Sequence, residues 1–195
     1  MNRTTLSAIA FCFAVVVASA TNADILEWNF EINEQQVKNG PEPDGSTNSP
    51  GKGTGTIFYN SETNTLSYSL QWDGMVGDLT KLHIHGPADA NSSNPQHIFE
   101  IYGPPTLPAE LVTTSADISG SRELTTLIQT GFDPLEPQQV VDIMVAGNAY
   151  VNVHTSVFGT GEIRGNLGIP IPEPSSTILT VIGVSMFVLQ RRRTR

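Results

Sequence analysis

The chain has 195 residues and a mass of 21.0 kDa, room for one domain of ordinary size and not for two large ones. A formal charge of −9 and a pI near 4.7 exclude nonspecific adhesion of the whole protein to nucleic acid or anionic lipid. One cysteine excludes a disulfide scaffold and a cysteine-based zinc site, and Gly 17 with Pro 13 marks frequent turns without a collagen period.

The first element is a leader. Arg3 precedes an apolar run from Leu6 to Val17, which exits through Ala18-Ser19-Ala20. A positive start, a short apolar core and a small-x-small exit predict a secretory signal peptide over residues 1–23, cut after Ala20 or Ala23. The apolar run covers only about 18 Å as a helix, too little for a bilayer core of about 30 Å. Cys12 lies inside it, so the mature chain carries no cysteine.

Residues 24–169 read as one all-β domain, with strands expected at Ile25–Ile32, Leu79–His85, Ile98–Tyr102, Thr113–Ser119, Tyr150–Thr155 and Gly161–Leu167. The stretch Thr54–Trp72 reads as a hairpin around Asn60–Asn64, and its second strand alternates strictly, with Leu66, Tyr68, Leu70 and Trp72 on one face. Asn39–Lys52, rich in Pro and Gly, is a loop. One helix is expected from Pro137, with Val140, Val141, Ile143 and Met144 on its apolar side and Gly147 at its end. Seven or eight short strands with turn signals between them predict an antiparallel β-sandwich with one short helix. Between Asp24 and Ile169, 5 bases face 18 acids, a charge of −13 that suits a solvated exterior module.

The C-terminus follows with Pro170-Ile171-Pro172-Glu173-Pro174, an apolar segment giving a transmembrane helix over about 175–190, and Arg191-Arg192-Arg193-Thr194-Arg195. Four arginines past a span hold that end in the cytoplasm. The set Pro172, Glu173, Pro174, short helix and arginine cluster resembles the PEP-CTERM sorting signal of Gram-negative bacteria, over residues 170–195. The resemblance implies an exosortase as partner, a transient membrane anchor through the C-terminal helix, and release or re-attachment at the cell surface or in the extracellular space. A permanent single-span anchor is the alternative reading.

Three blocks carry a second resemblance. His83-Ile84-His85-Gly86-Pro87-Ala88, then Gly147 to Thr155 with Asn152 and His154, then Gly161-Glu162-Ile163-Arg164-Gly165 are similar to the signature blocks of the CHRD domain, named after chordin. The similarity runs from about Ile25 to Ile169. It implies an immunoglobulin-like β-sandwich in a secreted protein, and it does not imply a known catalytic activity.

His83 and His85 leave one face of their strand, Leu82 and Ile84 the other, and Tyr150, Asn152 and His154 share a face of theirs. If those strands are neighbours, three imidazoles converge, an arrangement for Zn²⁺ or Cu²⁺. The alternative is a structural cluster that hydrogen-bonds the turn at Gly86-Pro87. The His-x-His spacing is also similar to Cu/Zn superoxide dismutase over these few residues, but the remaining ligands and the disulfide of that enzyme have no counterpart here. His97, in a polar loop, is the weaker candidate. Glu162 and Arg164 are placed on one strand face, as an ion pair or as an anion or sugar-acid contact, with Arg164 alternatively paired to another carboxylate. Asp89, Asn91 and Asn94 read as a solvated turn, without EF-hand spacing for Ca²⁺. No Gly-x-Ser-x-Gly elbow, P-loop, dinucleotide fingerprint or His-Glu-x-x-His is present. The sequence therefore reads as an exported, non-enzymatic surface or matrix module with a binding or structural role and no required cofactor. Its partners would be extracellular polysaccharide or matrix protein, not nucleic acid. The alternative is a metal-dependent redox or hydrolytic protein using His83, His85 and His154.

Overall fold

A computed structural model describes residues 25–172. The signal peptide, Glu173, Pro174, the helix over about 175–190 and Arg191, Arg192 and Arg193 lie outside the described residues. Among the described residues no helix is long and apolar enough to cross a membrane.

Among the described residues nine strands and one α-helix form, besides two single 3-10 turns, in the order β1 (Ile25–Asn33), β2 (Lys52–Asn60), β3 (Thr65–Asp73), β4 (Leu79–His85), β5 (His97–Tyr102), β6 (Ala116–Glu123), α1 (Pro137–Val145), β7 (Tyr150–Thr155), β8 (Ile163–Asn166) and β9 (Ile171–Pro172). The hairpin turn between β2 and β3 closes on Asn60, whose Oδ1 accepts from the Glu62 and Thr63 amides, with Asn64 at φ +50. Pro137 opens α1, Gln139 Oε1 accepts from the Glu136 amide, and Gly147 at φ +72 ends the turn.

Two boundaries differ from the pattern in the sequence. β6 starts at Ala116 rather than Thr113, because the Thr113 and Thr114 carbonyls accept from the Leu79 and Met75 amides outside any ladder. β8 starts at Ile163 because Gly161, at φ +122, turns the chain before it. β9 has no signal in the sequence: it is two residues long, one of them proline, and pairs at an edge.

Every strand pairing is antiparallel, and the sheet runs β5-β4-β7-β8-β1-β2-β3-β6, with β9 beside β1. Of the expected antiparallel β-sandwich with one short helix, the structure shows the antiparallel β architecture and the helix, with the strands in one curled sheet. One continuous sheet curls on itself, because β1 joins the two four-strand halves through the single residue pair Asn33–Arg164. Curling brings β5 against β3 and β6: the Phe99 and Tyr68 rings meet edge-on at 6.5 Å between β5 and β3, and Arg122 of β6 donates to the Glu100 carbonyl of β5 at 2.9 Å. Trp28, Ile32, Ile57, Leu66, Leu70, Leu79, Leu82, Ile84, Val151, Val153 and Ile163 fill the space between the halves. Gly165 is required here, since a Cβ would sit 2.6 Å from the Phe30 ring.

The alternating face of β3 is core: Leu66, Tyr68, Leu70 and Trp72 are all buried, Leu70 at 1% exposure. Leu70→Ala should cost about 2–5 kcal/mol in a denaturant titration. A loss below about 0.5 kcal/mol would mean that the face is solvated.

Candidate functional site

Strands β5, β4, β7 and β8 are consecutive in the sheet. Their registers set His83 opposite Asn152, His85 opposite both Tyr150 and His97, and Asn152 opposite Arg164. These polar side chains share the face turned away from Leu82, Ile84, Val151 and Val153. That face is not open to water. His83, His85, Asn152, His154 and Arg164 are all buried, His83 at 2% and His154 at 6% exposure. Cover comes from the segment after β4, held where Gly86 and Ala88 donate to the Gln96 and Asn148 carbonyls, and from the turn after β7. Gly86 allows this approach, since a Cβ there would meet the Asn148 carbonyl and Ile143 at 2.8 Å. The Gly86–Pro87 peptide is cis.

The rings of His83, His85 and His154 converge. Their centroids lie 5.6 Å (83–85), 5.2 Å (83–154) and 5.5 Å (85–154) apart. One ring nitrogen from each lies within 4.8 Å of the others. His85 Nδ1 is 3.0 Å from the Asn94 carbonyl and His154 Nδ1 is 3.0 Å from the Gly159 carbonyl. A carbonyl only accepts, so both Nδ1 atoms carry the proton and both Nε2 atoms present lone pairs. Those two Nε2 atoms are 3.3 Å apart. The Asn94 carbonyl also accepts from the Tyr150 hydroxyl at 2.9 Å. His83 Nδ1 is buried with no hydrogen-bond partner among the described residues. Burial, which penalises the charged form, pulls His83 down to about 2, His85 to about 3 and His154 to about 4, with neighbouring histidines adding to the effect. The three imidazoles are therefore neutral at physiological pH.

His97 belongs to this cluster and not to a solvated loop. Its ring stacks on His83 at 3.7 Å and meets His85 edge-on at 4.7 Å. Simple alternation would send His97 to the opposite face from Glu100. The register shifts between β4 and β5, two residues of β5 facing one of β4, bring both to the histidine face. His83, His97 and Glu100 form a second group with ligand atoms within 4.8 Å of one another. A pocket of about 200 Å³, lined by His85, Asn94, His97, Tyr150, Asn152 and His154 among others, leads from the surface to the rings.

Glu162 and Arg164 do not pair, and they do not act on one face. Glu162 lies in the bend before β8, where its fully buried carboxylate turns toward Thr155, of opposite parity to Asn152. It accepts from Ser49 Oγ at 2.6 Å, Thr155 Oγ1 at 2.7 Å and the Val76 and Gly77 amides at 2.5 and 3.1 Å. Four donors replace the lost hydration, so no cation is needed. Among the described residues Arg164 has no carboxylate hydrogen-bonded to it either. It donates to the Ser92 carbonyl at 2.6 Å, the Asp89 carbonyl at 2.8 Å and Asn166 Oδ1 at 2.8 Å. Its guanidinium lies 3.6 Å over the Tyr150 ring, which in turn stacks on His85 at 5.3 Å. Burial lowers Arg164 to about 10, so it stays charged at neutral pH. The Asp89 carboxylate is used within its own turn, accepting from the Asn91 amide and Ser92 Oγ.

Residues 29–167, most of the chain, match the family model of the CHRD domain. Among curated proteins and among solved structures, nothing matches.

Two outcomes follow from these contacts. Glu162→Gln sets an amide N–H₂ against groups that are themselves donors, and should cost about 1–3 kcal/mol by chemical denaturation. In chelator-treated protein, the folded histidines titrate below the unfolded value of about 6.5, so the unfolded chain binds more protons as the pH falls. The histidine contribution should be complete above pH about 6.5 and fall progressively below it, toward about pH 4 for His154, about 3 for His85 and about 2 for His83, at up to about 1.4 kcal/mol per pH unit for each. Denaturation midpoints at three pH values, compared with His85→Gln, check the sign; a flat profile would mean that the rings are solvated.

Proposed function

The chain belongs to the CHRD domain family, and from that membership we propose that it is an exported β-domain module, binding or structural rather than enzymatic, that serves at the cell surface or in the extracellular matrix of a Gram-negative bacterium. The observation that carries this reading is the pairing of β9 with β1, Leu26 opposite Pro172 and Glu27 opposite Ile171. The start of the folded unit and its end lie side by side. β1 opens two residues after Ala23, and β9 closes on the first residue of Pro172-Glu173-Pro174. Cleavage after Ala23 spares β1, and cleavage past the sorting motif spares β9, so both processing steps leave the ladder whole.

In this reading the signal peptide starts translocation through the inner membrane. The C-terminal helix, with Arg191, Arg192 and Arg193 beyond it, anchors the protein there transiently, and an exosortase acts at Pro172, Glu173 and Pro174. The released domain, at −13 from Asp24 to Ile169, binds extracellular polysaccharide or a matrix protein and not nucleic acid. A second reading, metal-dependent redox or hydrolytic chemistry, is favoured by one observation, the convergence of His83, His85 and His154.

Mass spectrometry of protein recovered from the cell surface or the medium tests the first reading. The expected species begins at Thr21 or Asp24 and lacks the residues after about Pro174. Recovery of an intact Arg195 terminus from cells that possess an exosortase would overturn it.

A further inference from the structure

We propose that His83, His85 and His154 together hold one d-block divalent ion, zinc or copper, through three imidazole nitrogens, with the fourth position open to the pocket between Asn94 and Asn152. This stands on the geometry of the cluster and is independent of how the domain is exported. It supplies the ion that the second functional reading requires, without assigning a reaction.

The first argument is the 3.3 Å contact between His85 Nε2 and His154 Nε2. Carbonyl partners fix the proton of each ring on Nδ1, so no hydrogen lies between the two Nε2 atoms. A purely structural cluster would set a donor against each acceptor. Here the Nε2 lone pairs of His85 and His154 face each other in the interior, and among the described residues no donor is set against that of His85, which is unfavourable unless a cation sits between them. Asn152 Nδ2 approaches His154 Nε2 at 3.3 Å and also donates to the Thr160 carbonyl at 3.0 Å, so that amide remains bonded when His154 turns to an ion.

The second argument is dimensional. Two nitrogens each about 2.0–2.1 Å from one ion, at a tetrahedral angle, are separated by about 3.3–3.4 Å. Three such rings have centroids about 5–5.5 Å apart. The observed values are 3.3 Å for the nitrogens and 5.2, 5.5 and 5.6 Å for the rings. His83 adds a buried nitrogen that has no other partner among the described residues.

The third argument is the support around the rings. Nδ1–H donated to a backbone carbonyl is the arrangement that orients metal-bound histidine and raises its basicity. Two of the three rings have it already, and Tyr150, gripped by Arg164, holds the carbonyl that His85 uses. The donor set chooses the ion: three neutral nitrogens suit zinc or copper, whereas magnesium and calcium need oxygens. The pocket gives an entry path and room for a water in the fourth position. His97 and Glu100 flank His83 but lie outside this set.

The test uses mature protein purified from its producing cells, stripped with EDTA and titrated with ZnCl₂ or CuSO₄ against a chromogenic chelator. One equivalent should bind with a Kd below about 1 µM. His85→Gln and His154→Gln should each weaken it at least about 100-fold, while His97→Gln changes it less than about 10-fold. Circular dichroism shows whether each variant is folded. X-ray absorption of loaded wild-type protein needs no variant and should count three imidazoles around the ion. No stoichiometric uptake by folded wild-type protein overturns the proposal. So does uptake that survives both substitutions, or a coordination shell without three imidazoles.

Discussion

Everything near the site follows from one constraint: β7 is hydrogen-bonded on both edges and covered on both faces. All six of its residues, Tyr150–Thr155, are buried. Val151 and Val153 meet this demand by packing in the core. Tyr150, Asn152 and His154 meet it with polar groups that must find partners inside the protein, because buried polar atoms without partners are costly. The chain supplies those partners as carbonyls, from Asn94 in one covering segment and from Gly159 and Thr160 in another. The lids over the sheet are therefore part of its hydrogen bonding.

Arg164 ties this arrangement to the rest of the fold. It is the residue of β8 that pairs with β1, at the single pair joining the two halves of the sheet. Its guanidinium grips the Asp89 and Ser92 carbonyls and lies over Tyr150. A planar group with several donors can do all of this at once, where a lysine ammonium could not. Glu162, two residues earlier, performs the matching task on the other side by gathering four donors from the Ser49 loop, the β3–β4 connection and β7. Sequence proximity makes these two look like an ion pair. Each is instead a clamp for a different loop, Glu162 from the bend before β8 and Arg164 from within the strand.

The same economy bears on the histidines. Rings used only as packing could be replaced by aromatic or aliphatic side chains at less cost in desolvation. Four imidazoles gather under loops with their pKa values lowered by burial, and backbone carbonyls fix the proton of two of them, His85 and His154, which leaves their Nε2 lone pairs preorganised. The proposed metal site rests on that combination more than on the motif His83-Ile84-His85.

The sequence by itself determined eight of the nine described strands in outline, the hairpin and the helix, because alternation over Leu66–Trp72, the turn at Asn60 and the Pro137–Gly147 bracket are local signals that neighbours in the chain enforce; the two-residue β9 left none. It also determined that His83 and His85 share a face, since the strand period is two. Three things needed the tertiary structure. Which strands are neighbours, and hence that His154 meets His85, depends on ladder pairing between residues far apart in the chain. The recruitment of His97 depends on register shifts against β4, which invert the local alternation and leave no mark in it. Whether the sheet splits into two or curls as one depends on the pair Asn33–Arg164, a contact between distant residues that no local pattern encodes.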